Sequence, residues 1–473
     1  MLHTSAFGLG SVAASWLLKR DGLLAAEAGE PFKPDLEQKT YDLLPKQPHH
    51  EPQAKAMISM FMLGGPSQID LFDPKPELIK HNGKTFSGDV KFDNPAQASR
   101  EIMAPLWKFK PHGQCGHQVS ELFPNVARHV DDICFLHGAH GTNPAHGGAL
   151  LKLHTGADNF VRPSMGAWVS YGLGTENANL PAFVTICPTL AHGGLNNWGS
   201  AFLPAHYAGT PIGNASIKAK DAKVHHIKNP KWTPGQQRAQ LDFLKQLNRD
   251  HLGGVPNPIL ESRINSFELA FRMQTAMPEI QDIRGETEAT RKLYGLDNAV
   301  TEDFGRQCLM ARRFAERGVR FVQVTHSDSK VQWDQHGNLR KGHTEKASEV
   351  DKPIAGLLHD LKARGLLDDT LVIWSGEFGR TPTVQGAGMD GRDHNPWGFT
   401  MWMAGGGVKG GFSFGATDDY GFYAERDKMH IHDVHATILH LLGIDHEQLT
   451  YRYSGRDFRL TDVFGNVAKE ILT

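Results

Sequence analysis

Continuous apolar runs recur along the chain, and each is flanked by segments rich in polar residues, glycine or proline. The first run, KAMISMFML at residues 55–63, ends at Gly64-Gly65-Pro66, which is the pattern of a fully buried strand closed by a turn. The same pattern occurs at residues 132–137, 182–187, 319–325, 370–375 and 399–404. These runs predict buried strands of one sheet.

Amphipathic helical patterns separate several of the predicted strands. Residues 301–318 carry apolar positions at helical spacing and end at Gly318, directly before a strand. Residues 344–365 contain a second helix, which we expect to restart with Pro353 as its first helical residue and to end at Gly365. Strands that alternate with helices predict a doubly wound, mainly parallel α/β sheet with helices on both faces.

One stretch, from about residue 207 to 300, interrupts this alternation. It holds two helical patterns, at residues 233–253 and 259–274, whose apolar stripes we interpret as packing surfaces. We therefore predict a single α/β domain over residues 55–470 that contains a helical insertion.

The N-terminal stretch has the composition of an export signal. Residues 5–18 are apolar and small but too short to span a bilayer, and Ala26-Glu27-Ala28 has the form of a signal-peptidase site. We predict a truncated export signal at residues 1–30, a linker at 31–54, and a periplasmic or extracellular protein without stable membrane insertion. An N-terminal core helix is the alternative interpretation.

The composition argues against several classes of function and favours a metal site or a polar cleft. The formal net charge of −2 does not favour nucleic acid as a partner, and the four cysteines form no C-x-x-C pair, which argues against a zinc ribbon or a thioredoxin-like site. The 26 histidines are the unusual feature. Many stand beside Asp, Gly or Asn, which suits metal coordination or a polar cleft.

Acidic and imidazole side chains stand beside five of the predicted strands. The carboxyl ends of parallel strands meet at one edge of an α/β sheet, so these side chains are expected to converge there. Carboxylates and imidazoles without cysteine suit Zn²⁺, Mn²⁺, Ca²⁺ or Mg²⁺. The predicted metal ligands are Asp70, Asp334, His336, Glu377 and His394.

Structural alternatives exist for three of these residues. The alternative for Asp334 and His336 is a hydrogen-bonded Asp-x-His turn, that for Glu377 is a salt bridge with Arg380, and that for His394 is a cap on the next element. The evidence for a ligand role is stronger for Glu377 than for the other residues, because a carboxylate directly after a buried strand needs a cation or several donors.

Several motifs, taken together, identify a resemblance that covers about residues 50 to 470. They are GGPSQIDLFDPKP, WDQHGN, SGEFGRTP, GRDHNPWGFTMWMAGGGVKGG and DVHATILHLLGIDHEQLTYRYSGRDFRLTDVFG. This set closely resembles the DUF1501 family, whose members are typically exported, sulfatase-like proteins of the alkaline phosphatase-like superfamily. The resemblance implies a doubly wound α/β fold with one or two metal ions at the strand ends. It also implies attack on phosphorus or sulfur by a Ser, Thr or formylglycine nucleophile.

The nucleophile position departs from the superfamily pattern. In sulfatase-like members the nucleophile stands ten residues before the glycine of a Leu-Thr-Gly motif, and the same count back from Gly156 in LHTG reaches His146. Three roles are open to a histidine there: metal ligand, carrier of a phospho-intermediate, or general base. The hydroxyl alternatives are Thr142, Ser67 and, less favoured, Ser164.

The metal motif departs as well. The superfamily's Ser-Asp-His-Gly is similar to SGEFG here, with Glu377 in place of Asp and Phe378 in place of His. The resemblance places Asp334 and His336 on the preceding Asp…His ligand pair, and His394 on the late ligand histidine. Because Phe378 cannot ligate, we expect one divalent metal ion rather than two.

The sequence thus predicts a metal-dependent hydrolase of sulfate or phosphate esters, on a small-molecule or polysaccharide substrate. His146, Thr142 and Arg380 are the predicted catalytic residues, with Arg380 and His146 stabilising charge on the transferring group. The alternative is an inactive superfamily member that binds a metal or a sulfated or anionic glycan. A phosphomutase or another transfer activity, with residues 207–300 as a capping domain, is the third possibility.

Overall fold

A central sheet organises the fold. The computed structural model describes residues 41–89, 91–93, 98–225, 227–252, 257–327, 332–385 and 390–473. The strands of this sheet in the described part are β1 Ala56–Met62, β2 Ile133–His140, β3 Phe183–Ile186, β4 Thr210–Ile212, β5 Phe321–His326, β6 Thr370–Ser375, β7 Phe399–Ala404, β8 Phe412–Phe414 and β9 Met429–His430. All six predicted strands are present.

The strand order is β8-β2-β7-β6-β1-β5-β3-β4, and β9 also pairs with β2. Strands β6, β1, β5, β3 and β4 are mutually parallel, whereas β7 runs antiparallel to both β6 and β2. The prediction of a mainly parallel sheet is confirmed.

Helices pack on both faces of the sheet, as predicted. Their bounds are α1 Gln68–Leu71, α2 Pro76–Lys80, α3 His146–Thr155, α4 Met165–Leu173, α5 Pro234–Leu252, α6 Pro258–Gln281, α7 Glu288–Leu293, α8 Glu302–Glu316, α9 Leu339–Ala363 and α10 Ile431–Leu441. Ile58 and Met60 of β1 share one core cluster with α8 and α9. Met57 and Phe61 face the other cluster, which includes α3, α4 and α10. Because successive side chains of β1 point to opposite faces of the sheet, the strand contributes to both hydrophobic cores.

The predicted restart at Pro353 is wrong, because α9 is one helix that runs through this proline. Proline lacks the N–H of an interior helical residue, at a cost of about 3 kcal/mol. The buried stripe formed by Ala347, Val350, Ile354 and Leu361 lies on both sides of Pro353. Packing of that stripe keeps the helix continuous.

The stretch predicted as an insertion contains both expected helices, α5 and α6, and also β4, which pairs with β3 of the central sheet.

Residues 41–54 of the predicted linker pack on the domain, where Lys46 N donates to Leu173 O at 3.0 Å. The predicted export signal lies outside the described residues. No helix among those described is long and apolar enough to cross a membrane.

A smaller antiparallel sheet carries part of the site. It pairs Gly379–Gln385 with Ala98–Ile102 on one side and with Gly391–Asn395 on the other. The register sets Arg380 opposite His394. The remaining described strands form three antiparallel pairs: Phe109–His112 with His117–Ser120, Ala416–Thr417 with Ala424–Arg426, and Tyr451–Tyr453 with Arg456–Phe458.

Candidate metal centre

His146 occupies the first position of a helix that follows a buried strand. Strand β2 ends at His140, and α3 begins at His146 with Ala145 as its N-cap. Gly156 caps the end of this helix with a φ of 73°. A Cβ atom at this position would lie 2.1 Å from Leu460 O, so only glycine fits. The predicted strand, turn and helix around His146 are therefore present.

The carboxylate of Asp334 is the centre of the site. Its oxygens lie 3.4 Å from His146 Nε2, 2.9 Å from His336 Nε2 and 3.0 Å from His394 Nε2. Ligand atoms of His146, Asp334 and His394 all lie within 4.8 Å of one another, which is close enough for them to share a metal ion. The structure thus brings together four of the predicted residues from three separate segments.

The opposite nitrogen of each of these imidazoles faces a protein acceptor. Nδ1 of His146 lies 2.7 Å from Glu377 Oε1, and Nδ1 of His336 lies 2.5 Å from Gln385 Oε1. Nδ1 of His394 lies 2.8 Å from the carbonyl oxygen of Pro144. When Nδ1–H donates to such an acceptor, the lone pair of Nε2 points to the other side, which is the arrangement found around metal-bound histidines.

A divalent cation fits this set of donors. The imidazole nitrogens of His146 and His394 and the carboxylate of Asp334 are ligands that Zn²⁺ prefers, whereas Ca²⁺ and Mg²⁺ favour oxygen. The imidazole of His336 lies beside this group, against Asp334. His146 Nε2 is buried and makes no well-aligned hydrogen bond, although an Asp334 oxygen lies 3.4 Å away. A metal bond would satisfy this nitrogen, so the residues present match the expected cofactor class.

Glu377 lies behind His146 and outside the group of atoms around Asp334. Besides its contact with His146, the carboxylate accepts hydrogen bonds from Gly64 N, at 3.0 Å to Oε1 and 3.1 Å to Oε2. Its side chain is fully buried. The geometry is that of a carboxylate that orients a ligand histidine.

Arg380 supports Asp334 and has no access to solvent. Its Nη2 donates to Asp334 Oδ1 at 2.6 Å, and its Nε donates to Gly65 O at 2.8 Å. Nη2 also contacts Gly64 O, and Nη1 donates to Arg392 O at 3.1 Å. The carboxylate partner of Arg380 is therefore Asp334 rather than Glu377. With its donors occupied inside the protein, Arg380 positions Asp334 instead of facing a substrate.

The charges of the site shift its pKa values strongly. Burial alone would raise the pKa of Asp334, but Arg380 and the three imidazoles hold it well below its usual range. Burial lowers the pKa of His146, yet its contacts with Asp334 and Glu377 outweigh burial and raise it to about 9. Burial, with help from Arg380, lowers the pKa of His394 to about 3. Asp334 is thus a permanent anion that attracts cations.

Asp70, predicted as a ligand, belongs to a separate buried ion pair. Its carboxylate accepts from Arg392 Nε at 2.8 Å, from Ser67 Oγ at 2.6 Å and from Leu106 N at 2.9 Å. Both charged side chains have no exposed surface. Burial would raise the pKa of Asp70, but Arg392 and these donors hold it below the usual value.

Two of the hydroxyl alternatives to a nucleophile are engaged by other parts of the protein. Ser67 is buried and donates to Asp70, and Ser164 caps α4 and donates to Gly199 O. Thr142 is exposed, on the loop before α3. In the described part of the chain, the groups in contact with Asp334 are imidazoles, a guanidinium and backbone, without a hydroxyl or thiol.

Two features of the site were missed from the sequence. The exposed imidazole of His192 lies with its ring centroid 5.0 Å from that of His146. A second group of potential ligand atoms, from Asp93, Asp393 and His394, adjoins the first through His394 Nδ1, 3.2 Å from Asp93. The available signal for His192 was its place, with Gly193, in the loop after β3.

Phe378, the residue that we expected to be unable to ligate a metal, packs against two of the site's imidazoles. Its ring centroid lies 4.9 Å from that of His146 and 4.4 Å from that of His394, so it packs against both imidazoles. A Cβ on Gly65 would lie 2.5 Å from the same ring. Phe378 thus holds the imidazoles by packing.

Comparison with solved structures gives weak matches. Lipoteichoic acid synthase LtaP from Listeria monocytogenes is 9% identical, with a TM-score of 0.35 over 87% of this chain and 76% of that protein. The PsFucS1 sulfatase from Pseudoalteromonas sp. is 14% identical, with a TM-score of 0.36 over 84% and 69%. Alkaline phosphatase from the Antarctic bacterium TAB5 is 10% identical, with a TM-score of 0.32 over 82% and 98%. Similarity at this level says nothing about the chemistry of the site.

Comparison with protein families gives a match over nearly the whole described domain. No curated protein matches the chain. The family described as "Protein of unknown function (DUF1501)" matches residues 54–472, a span that includes Asp334, all three imidazoles and Glu377. The chain is therefore a member of the DUF1501 family.

Proposed function

We propose that this protein is a metal-dependent hydrolase of sulfate or phosphate esters. The observation that carries the proposal is the convergence of three imidazole Nε2 atoms on the Asp334 carboxylate, each with its Nδ1 facing a protein acceptor. Such an arrangement matches metal ligation, in which a protein acceptor holds Nδ1 of each histidine so that its Nε2 faces the ion.

Asp334, His146 and His394 would hold one divalent cation, with Zn²⁺ the best match to imidazole and carboxylate ligands, and His336 would lie beside it. When bound, the cation would supply Lewis-acid polarisation of an ester oxygen and lower the pKa of water. Arg380 keeps Asp334 ionised and in place, and Glu377 fixes the ring of His146.

His192 is our candidate for proton transfer. It is the exposed imidazole next to His146, and burial together with His146 lowers its pKa. It is therefore neutral at pH 7, so it can accept a proton from attacking water and return it to the leaving alcohol. We place this reaction outside the cytoplasm, on the basis of the signal-like composition of residues 1–30.

The alternative function is binding of a metal or an anionic glycan without turnover. It is favoured by one observation, that no hydroxyl or thiol of the described residues contacts the Asp334 group. A covalent intermediate on such a group, which the superfamily pattern implies, then has no obvious carrier. Direct attack by water would still be open to the His192 mechanism.

Metal content and turnover test the proposal together. Purified protein is loaded with Zn²⁺ or Mn²⁺, freed of excess metal, and assayed for bound metal and for hydrolysis of 4-nitrophenyl sulfate, 4-nitrophenyl phosphate and bis(4-nitrophenyl) phosphate. We expect about one metal per chain and hydrolysis that His394→Ala abolishes. His359→Ala, on the exposed face of α9, is the matched control. Stoichiometric metal without turnover of any ester would favour the binding alternative.

Glu377→Gln tests the role of the carboxylate behind His146. We expect metal affinity to fall by about 10- to 100-fold, because the ring of His146 loses its charged acceptor. One metal per chain should still bind at saturation, since no ligand is removed. The measurement is a competition titration with a chelator at pH 9.5, where the raised pKa of His146, about 9, no longer adds proton competition.

The matched control is Glu286→Gln, a buried carboxylate that pairs with Arg312 and Arg313. This control should leave metal affinity unchanged. If Glu377→Gln instead abolishes binding even at saturating metal, then Glu377 is itself a ligand. Unchanged affinity at pH 9.5 would remove its positioning role.

A further inference from the structure

Three adjoining cavities form a groove whose first cavity lies at the end of β5, close along the chain to the loop of Asp334. Their volumes are about 450, 100 and 530 Å³. The first and second share Lys218 and Asp303 as wall residues, and the second and third share Lys220 and Arg306. Consecutive cavities therefore adjoin one another, and together they form a groove lined by described residues of 215–225 and 227–228 and by α8.

The inner end of this groove adjoins the loop that carries Asp334. His326, the last residue of β5, and Gln332 line the first cavity. Trp333 follows Gln332 and donates from Nε1 to His326 Nδ1 at 3.0 Å, which ties the two walls together. Asp334 is the next residue, so a ligand that fills the groove ends beside the loop of the metal centre.

The uncompensated charge of the groove is positive. Lys218, Lys220, Lys223 and Lys228 are exposed and line the cavities, and none of them belongs to an ion pair among the described residues. The acidic side chains of the walls have partners. Glu349 contacts His326 and Lys346, Glu302 contacts Arg306, Asp282 contacts Arg284, and Asp303 accepts from Ala219 N.

A row of free lysines along a groove matches a polymer with repeated negative charges. Single-stranded nucleic acid would also match the charge, but grooves that bind it present aromatic side chains for base stacking. The one aromatic residue among the described walls is Phe304, and it is only 2% exposed. Sulfated or carboxylated saccharides need no stacking surface of that kind.

We propose that this groove binds an extended anionic polysaccharide and delivers one of its ester groups to the metal centre. The delivery step rests on the proposed hydrolase function, whereas the binding step does not. The four lysines hold the charged groups of successive sugar units, and the first cavity holds the unit next to the reacting ester. The substrate class is therefore a polymeric ester rather than a free small molecule.

Binding of dextran sulfate to the full-length protein tests this inference. The test variant replaces Lys218, Lys220, Lys223 and Lys228 by glutamine, and the control variant replaces the equally exposed Lys84, Lys110, Lys428 and Lys469. Loss of four favourable charges is expected to weaken binding by at least about tenfold in the test variant only. Wild-type affinity should also fall as salt increases.

Uncharged dextran and oligothymidylate are the comparison ligands. Equal binding of dextran, equal weakening by both variants, or tighter lysine-dependent binding of oligothymidylate would each overturn the inference. The titration is repeated after a chelator has removed metal, and binding should persist. Loss of ester hydrolysis with binding retained would count against the hydrolase alone, so the two failures are distinguishable.

Discussion

Replacement of Asp334 by asparagine is expected to remove the metal and to destabilise the protein at the same time. The amide keeps the shape of the side chain but lacks the charge that attracts the cation and faces His146, His336 and His394. We expect metal affinity to fall by more than about 100-fold, because a ligand is lost and not merely an outer contact. Metal analysis after gel filtration measures this effect.

The stability effect has a separate cause, in the cation behind the site. Arg380 has no exposed surface, and Asp334 is its carboxylate partner. Loss of one member of a buried pair costs about 3–5 kcal/mol, although the carbonyl acceptors of Arg380 should keep the cost near the lower value. Urea unfolding of the metal-free proteins measures it without a contribution from metal binding.

A double variant separates the two effects. Asp334→Asn with Arg380→Met removes the unpaired charge, so stability should recover while metal remains absent. Recovery of both properties would show that Asp334 acts only through Arg380. Normal metal content in the single variant would contradict the assignment of Asp334 as the central ligand.

The main sheet and the place of His146 could be predicted because they depend on local signals. Buried parallel strands appear in the sequence as continuous apolar runs. The helix that follows β2 ends at Gly156, and counting ten residues back from this glycine locates His146. Asp334, His336 and His394 were found as polar residues beside strands. Their contacts then follow from topology, since the segments meet at one edge of the sheet.

The partners of these residues could not be predicted in the same way. Asp70 stands after a strand like the other predicted ligands, but Arg392, 322 positions away, neutralises it. Arg380 is three residues from Glu377 yet pairs with Asp334. The acceptors of the ligand histidines include a backbone carbonyl at Pro144 and an amide at Gln385, residue types without a distinguishing pattern. Contacts between residues far apart in the chain therefore decide which of several chemically similar residues belong to the site.

Mild acid is expected to unfold the protein through histidines that are buried in the neutral form. Burial lowers the pKa of His154 to about 4, and it lowers the pKa of His343 and His435 to about 3. Each has a ring nitrogen without a hydrogen-bond partner. In the unfolded chain the same groups titrate near pH 6.5, so the unfolded state takes up protons first.

The sign of the effect follows from these folded-state values. The contribution of these three histidines to stability is complete above about pH 6.5 and is lost as the pH falls, by about 1.4 kcal/mol per pH unit for each histidine. Three such groups together would remove roughly 6 kcal/mol by about pH 5, which is comparable to the whole stability of many domains. We expect the melting temperature of metal-free protein to fall steeply between pH 6.5 and 5.

His154→Phe provides the internal comparison. The ring of His154 packs edge-on against Phe61, at a centroid distance of 4.9 Å, and an aromatic replacement retains that contact. The variant should lose about 1.4 kcal/mol less per pH unit than the wild type, since one proton fewer is taken up on unfolding. Carboxylates such as Asp70 and Asp334, with lowered pKa values, lose their contribution only below about pH 3.8. A melting temperature that is flat from pH 7 to 5 would therefore contradict the neutral, buried state of these histidines.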